Sequence, residues 1–203
     1  MLKKANKKRF HFSKIEIHDL VKAWLILSLA FAIFFVGGFG ITTTFFTAFI
    51  VSLLTVGTAF ILHELGHKFL AQHYGCFAEF RSFDFMLILS VIMSFFGFVF
   101  IAPGAVMIFG PIGKKRNGII SMLGPLTNIL LALIFAALFL LTPLKLVGQY
   151  GFVINSWLAL FNLIPISFFD GKKIFDWNKA VYWIMVVAVI GLIFLQEYLK
   201  ISL

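Results

Sequence analysis

Residues 44–74 read TFFTAFIVSLLTVGTAFILHELGHKFLAQHY, a run that is apolar over most of its length and carries ionisable side chains near its end. Threonines at its start (Thr42, Thr43, Thr44) offer hydroxyls for helix capping, and Gly75 follows as a helix stop. A helix of about 30 residues is longer than the ~30 Å hydrocarbon core of a bilayer requires. The run therefore predicts a membrane-crossing helix whose last turns emerge into the interface.

The overall composition indicates a membrane protein. Of 203 residues, 62% are apolar and only 12% are charged, and the mean hydropathy is +1.05. A soluble domain carries about a quarter charged residues, so the surplus apolar surface must face lipid. The formal charge of +9 then reports on membrane topology, and nucleic acid is not expected as a partner. The single cysteine, Cys76, excludes an intramolecular disulfide.

Five apolar runs are long enough to cross a bilayer: residues 23–39, 44–74, 119–141, 148–164 and 180–199. With these crossings, the 17 Lys and Arg residues divide 15 on the N-terminal side and 2, Lys145 and Lys200, on the other. The positive-inside rule then places the basic N-terminal segment 1–22 in the cytoplasm and the C-terminus outside. We predict an all-α, multi-pass protein of the cell membrane that forms one integral-membrane domain over residues 1–203.

Residues 86–101 form a further apolar run, but charge counting argues against a crossing there. If the run crossed, Lys and Arg would divide 11 against 6, a weaker asymmetry. We therefore interpret residues 86–111 as a re-entrant element between the second and third spans, built around a short strand at 105–109. A weaker alternation of polar and apolar residues at 76–84 also indicates a strand. Because such backbone needs protein or water to satisfy it at membrane depth, the element should line a cavity.

His63-Glu64-Leu65-Gly66-His67 fits the pattern H-E-x-x-H. On a helix, positions i and i+4 share a face, so both imidazoles can reach one Zn²⁺ while Glu64 stands beside the open position of the metal. The alternative is a pair of interfacial histidines packed near a helix end. Ionisable residues inside a spanning helix are unfavourable, however, and mark function by default. The pattern therefore predicts a catalytic zinc site.

A catalytic zinc takes three protein ligands, so a third ligand must come from another part of the chain. Asp170 is notable because Phe168, Phe169 and Gly171 give this acid an apolar setting, in which it needs a partner cation. Its structural alternative is to cap the helix that follows. The residues alone leave several candidates open on the same side of the membrane: His73, Cys76, Glu79, Asp84, Asp170 and Asp176.

Three short motifs follow one another along the chain: His63 to His67 in an apolar helix, Gly124-Pro125-Leu126-Thr127-Asn128 opening a later span, and Asn162-Leu163-Ile164-Pro165 followed by Asp170-Gly171. Together they resemble the site-2 protease family of intramembrane zinc metalloproteases. The motifs occur in the family's order, and the resemblance covers about residues 44–175, the expected catalytic core. The family usually has a proline two residues before the aspartate, where this chain has Phe168.

The resemblance implies a role for each matching residue. His63, His67 and Asp170 would ligate zinc, and Glu64 would activate the attacking water. The embedded strand would pair with an extended substrate by β-augmentation. The strand residues expected to bind substrate are Ala105, Val106 and Met107.

Asparagines on two predicted spans place amides where lipid would leave them unsatisfied, so they should face the interior of the bundle. Asn128 and Asn162 are each expected either to hydrogen-bond between helices or to hold the substrate backbone or oxyanion. Asn155, seven residues before Asn162, is expected only to pack.

The expected function is zinc-dependent endoproteolysis of a transmembrane segment in a membrane-protein substrate. His63 lies ~28 Å along its helix from Thr44, which places the site near the cytoplasmic edge of the hydrocarbon. The alternative is a membrane metal-ion transporter that uses the same His and Asp site. Transport, however, needs no general base at the position of Glu64.

The charge division predicts which loops face the cytoplasm. In a Cys76→Ser background, single cysteines replacing Lys115 and Lys173 should react with an impermeant thiol reagent added on the cytoplasmic side. A cysteine replacing Lys145 should react only from outside, because Lys145 lies in the loop with few positive charges. Labelling of position 115 from outside would mean that residues 86–101 cross the bilayer.

Overall fold

The computed structural model describes residues 10–99 and 103–199. Residues 1–9, Ile101 and Lys200, which enter the topology prediction, lie outside the described residues. Within the described ranges the chain is mostly helical, with one small sheet. Its elements are α1 Lys14–Val36, α2 Thr43–Ser52, α3 Thr58–His73, β1 Phe77–Ser82, α4 Asp84–Ser94, β2 Gly104–Phe109, α5 Lys114–Leu141, α6 Lys145–Asn162, α7 Asp170–Trp177 and α8 Lys179–Tyr198.

Four helices in the described ranges are long and apolar enough to cross a membrane. They are α1, α5, α8 and the run Thr43–His73, in which α2 and α3 are joined by a π-helical turn at Leu53–Gly57. The architecture is therefore compatible with a helical membrane protein. The predicted fifth span corresponds to α6, which has 18 residues but carries the buried polar side chains of Asn155 and Ser156. Its crossing stays a prediction.

Helix α6 packs antiparallel against α5 through two glycines. A Cβ on Gly148 would lie 2.4 Å from the backbone nitrogen of Phe139, and one on Gly151 would lie 2.2 Å from the ring of Phe135. At the other end of α5, a Cβ on Gly118 would lie 2.3 Å from Trp177. The start of α5 and the end of α7 therefore lie together at one end of the bundle, opposite the α5–α6 loop.

Both ends of the run Thr43–His73 match the predicted caps. The Thr42 hydroxyl accepts a hydrogen bond from the Phe45 N–H at 3.2 Å. At the other end, Gly75 has a left-handed φ of 80°, and the Cys76 N–H donates to the Ala71 carbonyl at 3.0 Å. This pattern closes a helix on a glycine that tolerates positive φ without steric strain.

The strand predicted at residues 105–109 is present as β2, and the weaker signal at 76–84 corresponds to β1. The two strands pair antiparallel, with Phe77 opposite Phe109 and Ser82 opposite Gly104. Helix α4, which lies between them, has 11 residues and is therefore ~16 Å long, about half the hydrocarbon thickness. This helix is too short to cross by itself, and the re-entrant insertion stays a prediction.

Carboxylates from α1 occupy the outer edge of β1. Glu16 accepts from the Phe80 N–H at 2.9 Å, and Asp19 accepts from the Ser82 N–H at 3.3 Å. Glu16 also forms a fully buried ion pair with Lys68 of α3. In an antiparallel pair, two directly opposite residues either both point their N–H groups toward the partner strand or both point them away from it. The residues opposite Ser82, Phe80 and Ala78, namely Gly104, Val106 and Ile108, therefore present their N–H groups on the outer edge of β2.

Candidate metal centre

His63 and His67 lie one turn apart on α3 with their imidazoles in edge-to-face contact. Their side chains are buried, and their Nε2 atoms are 3.1 Å apart. This is the arrangement that the i, i+4 spacing predicts for two ligands of one metal ion.

The other ring nitrogen of each histidine faces a carbonyl oxygen. His63 Nδ1 lies 2.6 Å from Asn128 Oδ1, and His67 Nδ1 lies 2.9 Å from the backbone oxygen of Ile120. A carbonyl oxygen only accepts, so each Nδ1 carries the proton and donates it. In the neutral imidazoles each Nε2 then keeps its lone pair, the form in which histidine binds a metal.

Asp170 brings a carboxylate to the same point from the start of α7. Its Oδ2 lies 3.3 Å from His63 Nε2 and 2.9 Å from His67 Nε2. The N-cap of α7 is Phe169, so the capping role considered for Asp170 is not the one it has. A Cβ at position 171 would lie 2.1 Å from the Leu163 carbonyl oxygen. This lack of space explains why the residue after the aspartate is a glycine.

The neighbouring imidazoles favour the charged form of Asp170. Burial alone raises the pKa of its carboxyl, but His67 and His63 outweigh this effect and hold the pKa well below its ordinary value. The second oxygen, Oδ1, lies 3.4 Å from the Nζ of Lys173, a partly exposed side chain. The charged form is the one that a metal ligand requires.

These three residues fit a zinc ion. Within residues 10–99 and 103–199 they are a group whose ligand atoms lie close enough to share one metal. Their spacings of 2.9 to 3.3 Å match the ~3.3 Å edges of a tetrahedron with zinc bonds of about 2.0–2.1 Å. Two imidazoles and one carboxylate are a donor set of catalytic zinc sites, which keep the fourth position open.

The other candidate ligands lie elsewhere in the described structure. Cys76 packs in a separate apolar cluster, and His73 is exposed at the end of α3. The three remaining acids have cationic partners: Arg81 for Glu79, Lys22 for Asp84 and Lys172 for Asp176. The Lys172 ammonium holds the pKa of the Asp176 carboxyl below its ordinary value, as expected for a surface ion pair.

Gly124 provides the space for both imidazoles. A Cβ there would lie 2.4 Å from His67 Nε2 and 2.6 Å from His63 Cε1. The Gly-Pro-Leu-Thr-Asn motif therefore lies well inside α5, which begins at Lys114, and not at the start of the span as expected. The position has a physical reason, because the motif must face the middle of α3 with a glycine against the rings and Asn128 behind one of them.

Glu64 lies beside the two histidines and contacts the sheet. Its Oε2 accepts a hydrogen bond from the Val106 N–H at 2.9 Å. Of the other strand residues proposed to bind substrate, Ala105 is half-buried and Met107 is exposed. Their binding roles stay predictions, but the contact places β2 directly against Glu64.

The two asparagines expected to face the bundle interior occupy different places. Asn128 is fully buried, and both of its polar atoms are engaged, which matches the interhelical alternative. Asn162 is half-buried and donates to the Leu158 carbonyl of its own helix at 2.9 Å. A role for either residue in holding substrate stays a prediction.

Sequence reasoning missed two groups behind the histidines. Ile120 contributes a backbone carbonyl, for which no side-chain signal exists. Asn155, expected only to pack, accepts a hydrogen bond from Asn128 at 3.1 Å. A buried amide within a predicted span was the available signal for Asn155.

One comparison with known proteins identifies a relative. The chain is 43% identical over 188 residues to a protein of Methanocaldococcus jannaschii named "Putative zinc metalloprotease", and the match covers 90% of this chain and 94% of the relative. No protein-family model matches the chain, and no solved structure does. The name of the relative agrees with the donor set found at the site.

Replacing the third ligand should weaken zinc binding selectively. We expect Asp170→Ala to lose more than the ~10–100-fold in affinity that loss of an outer partner typically causes, since a direct ligand is removed. Zinc content after dialysis against a graded chelator measures this. Asp84→Ala and Asp176→Ala should keep about one zinc, and full occupancy in Asp170→Ala would contradict the assignment.

A methyl group at Gly124 should displace the imidazoles. We expect Gly124→Ala to abolish stoichiometric zinc binding, because the added Cβ would overlap both rings. The matched control is Gly191→Ala in α8, where a Cβ meets nothing within 4 Å. Zinc analysis of both purified variants makes the comparison, and an intact site in Gly124→Ala would show that α5 does not approach the rings so closely.

Proposed function

The chain belongs to the zinc metalloprotease family of its archaeal relative, and on this premise we propose that it is an intramembrane endopeptidase of the site-2 protease type. It would cleave a transmembrane segment of a membrane-protein substrate near the cytoplasmic side of the bilayer. The observation that carries this proposal is the position of the cluster. His63, Glu64 and His67 lie within a helix run that is long and apolar enough to cross a membrane.

The chain's own residues divide the chemistry between them. When bound, zinc supplies a Lewis acid that polarises the scissile carbonyl and favours ionisation of water. His63, His67 and Asp170 hold it and leave one position open. Glu64 takes a proton from the attacking water and returns one to the leaving amine, the role of a general base and then a general acid.

The cytoplasmic side is favoured by the surroundings of Asp170. This residue begins α7, whose last residue, Trp177, packs against Gly118 near the start of α5, where Lys114, Lys115 and Arg116 are exposed. The side chain of Lys173, 39% exposed, lies next to the Asp170 carboxylate. The metal centre therefore lies in the half of the bundle that ends in these basic residues, which the positive-inside rule assigns to the cytoplasm.

The sheet offers a route for binding an unwound substrate. A peptide bond within an intact helix is shielded, so the substrate must be extended locally before attack. The outer edge of β1 is occupied by Glu16 and Asp19, whereas the outer edge of β2 faces Glu64 through Val106. We propose that an extended substrate strand adds to this edge of β2.

A reconstituted cleavage assay tests the function. The purified protein in liposomes is mixed with a panel of single-span substrates carrying tags on both ends, with and without a zinc chelator. We expect chelator-sensitive fragments whose new ends map within the substrate span, near its cytoplasmic side. Cleavage confined to soluble loops would contradict the intramembrane part of the proposal.

Glu64→Gln separates proteolysis from metal transport. The amide keeps the size of the side chain and leaves the three ligands in place, but it is too weak a base to accept a proton from water. Zinc content should therefore be retained, while cleavage falls by about 10²–10⁴-fold. A transporter would keep most of its metal flux in this variant. Near wild-type cleavage by Glu64→Gln would refute the assignment of the base.

A proline at position 108 tests strand addition. The Ile108 N–H is on the outer edge of β2, so proline there removes a donor for the substrate without breaking a bond to β1. We expect Ile108→Pro to abolish cleavage and keep zinc bound, whereas Ile108→Ala should be mild. If both variants cleave at similar rates, substrate does not pair at this edge.

A further inference from the structure

A continuous chain of hydrogen bonds runs from α6 to the metal centre. Asn155 is fully buried and donates from Nδ2 to the Gly151 carbonyl at 2.8 Å. Its Oδ1 accepts from Asn128 Nδ2 at 3.1 Å, and Asn128 Oδ1 lies 2.6 Å from His63 Nδ1. Three buried side chains on three helices are thus joined in a fixed order.

Each bond in this chain sets the direction of the next one. The Gly151 carbonyl can only accept, so the Asn155 amide must turn its nitrogen to it and its oxygen to Asn128. Asn128 must then offer its nitrogen to Asn155, which leaves its oxygen facing His63. That oxygen requires a proton on His63 Nδ1, and Nε2 is the atom left for the metal.

We propose that Asn155 is a positioning residue that sets the orientation of Asn128 and, through it, the tautomer of His63. Without Asn155, the Asn128 amide nitrogen keeps only a long hydrogen bond, 3.5 Å, to the Ala59 carbonyl. With the shorter bond lost, the amide can rotate and present its nitrogen to His63. The Nδ1 atom would then act as an acceptor, and the proton would move to Nε2, where it competes with zinc. This inference concerns the metal centre and does not depend on the proteolytic activity proposed above.

His67 has no such dependence. Its Nδ1 faces the backbone carbonyl of Ile120, which has a single polarity and cannot rotate independently of the helix. Only His63 relies on an amide side chain whose two ends have opposite polarity. Loss of Asn155 should therefore act on one of the two histidine ligands and weaken the site without dismantling it.

A double-mutant cycle on zinc affinity tests the proposal. In the wild-type background, Asn155→Leu should weaken zinc binding by about 10–100-fold, the typical effect of losing an outer partner of a ligand. In an Asn128→Asp background, the same Asn155→Leu substitution should change the zinc affinity by less than about 3-fold. A carboxylate accepts from His63 whichever way it turns, so it needs no orienting partner. Affinity is measured by competition with a chelator in detergent.

The control is Ser156→Ala, one residue along the same helix. Ser156 is also fully buried and donates to the Phe152 carbonyl at 2.8 Å, but it does not belong to the chain. The Ser156→Ala variant should therefore bind zinc with the affinity of the wild type. Asn155→Ala is measured in parallel, and the conclusion rests on variants that keep the wild-type helical circular dichroism and elution volume. Equal losses in both backgrounds, or no loss in either, would overturn the proposal.

Discussion

The close crossing of α3 and α5 is the contact on which the metal centre depends. Gly124 leaves room for two imidazoles that a Cβ would displace, and a Cβ on Gly66 would already lie 3.1 Å from the Thr127 hydroxyl. Because the backbones approach so closely, the side chain of Asn128 and the carbonyl of Ile120 reach the rings from α5. The same helix that makes space for the ligands also orients them.

A second constraint is that polar groups buried in an apolar bundle need partners. Three carboxylates meet this need for the sheet: Glu16 and Asp19 accept from β1, and Glu64 accepts from Val106 in β2. The first two close one edge of the sheet by binding its N–H groups. The third ties the other edge to the proposed general base, so that a strand added there would lie against the reacting groups.

The buried ion pair of Glu16 and Lys68 connects the sheet to α3, the helix that carries the histidines. Lys68 directly follows His67 on α3, and its partner Glu16 also holds the Phe80 N–H of β1. Removing one partner of a fully buried pair typically costs about 3–5 kcal/mol, because the other charge is left without compensation. The sheet therefore has a fixed position relative to the helix that carries both histidines.

Local patterns in the sequence determined much of this protein. The apolar runs, the threonine and glycine caps of the second span and the i, i+4 pairing of His63 and His67 are all recognised from residues near one another in the chain. The strand at residues 105–109 also has a local sequence signal, although its hydrogen bonds are made with residues 77–82. Resemblance to a known family added Asp170. Only the tertiary structure decided that Asp170, and not the other acids, reaches the histidines, and that Asn128, Asn155 and Ile120 orient them. These contacts join residues far apart in sequence, and they depend on how closely glycines let the helices pack, which short-range periodicity does not encode.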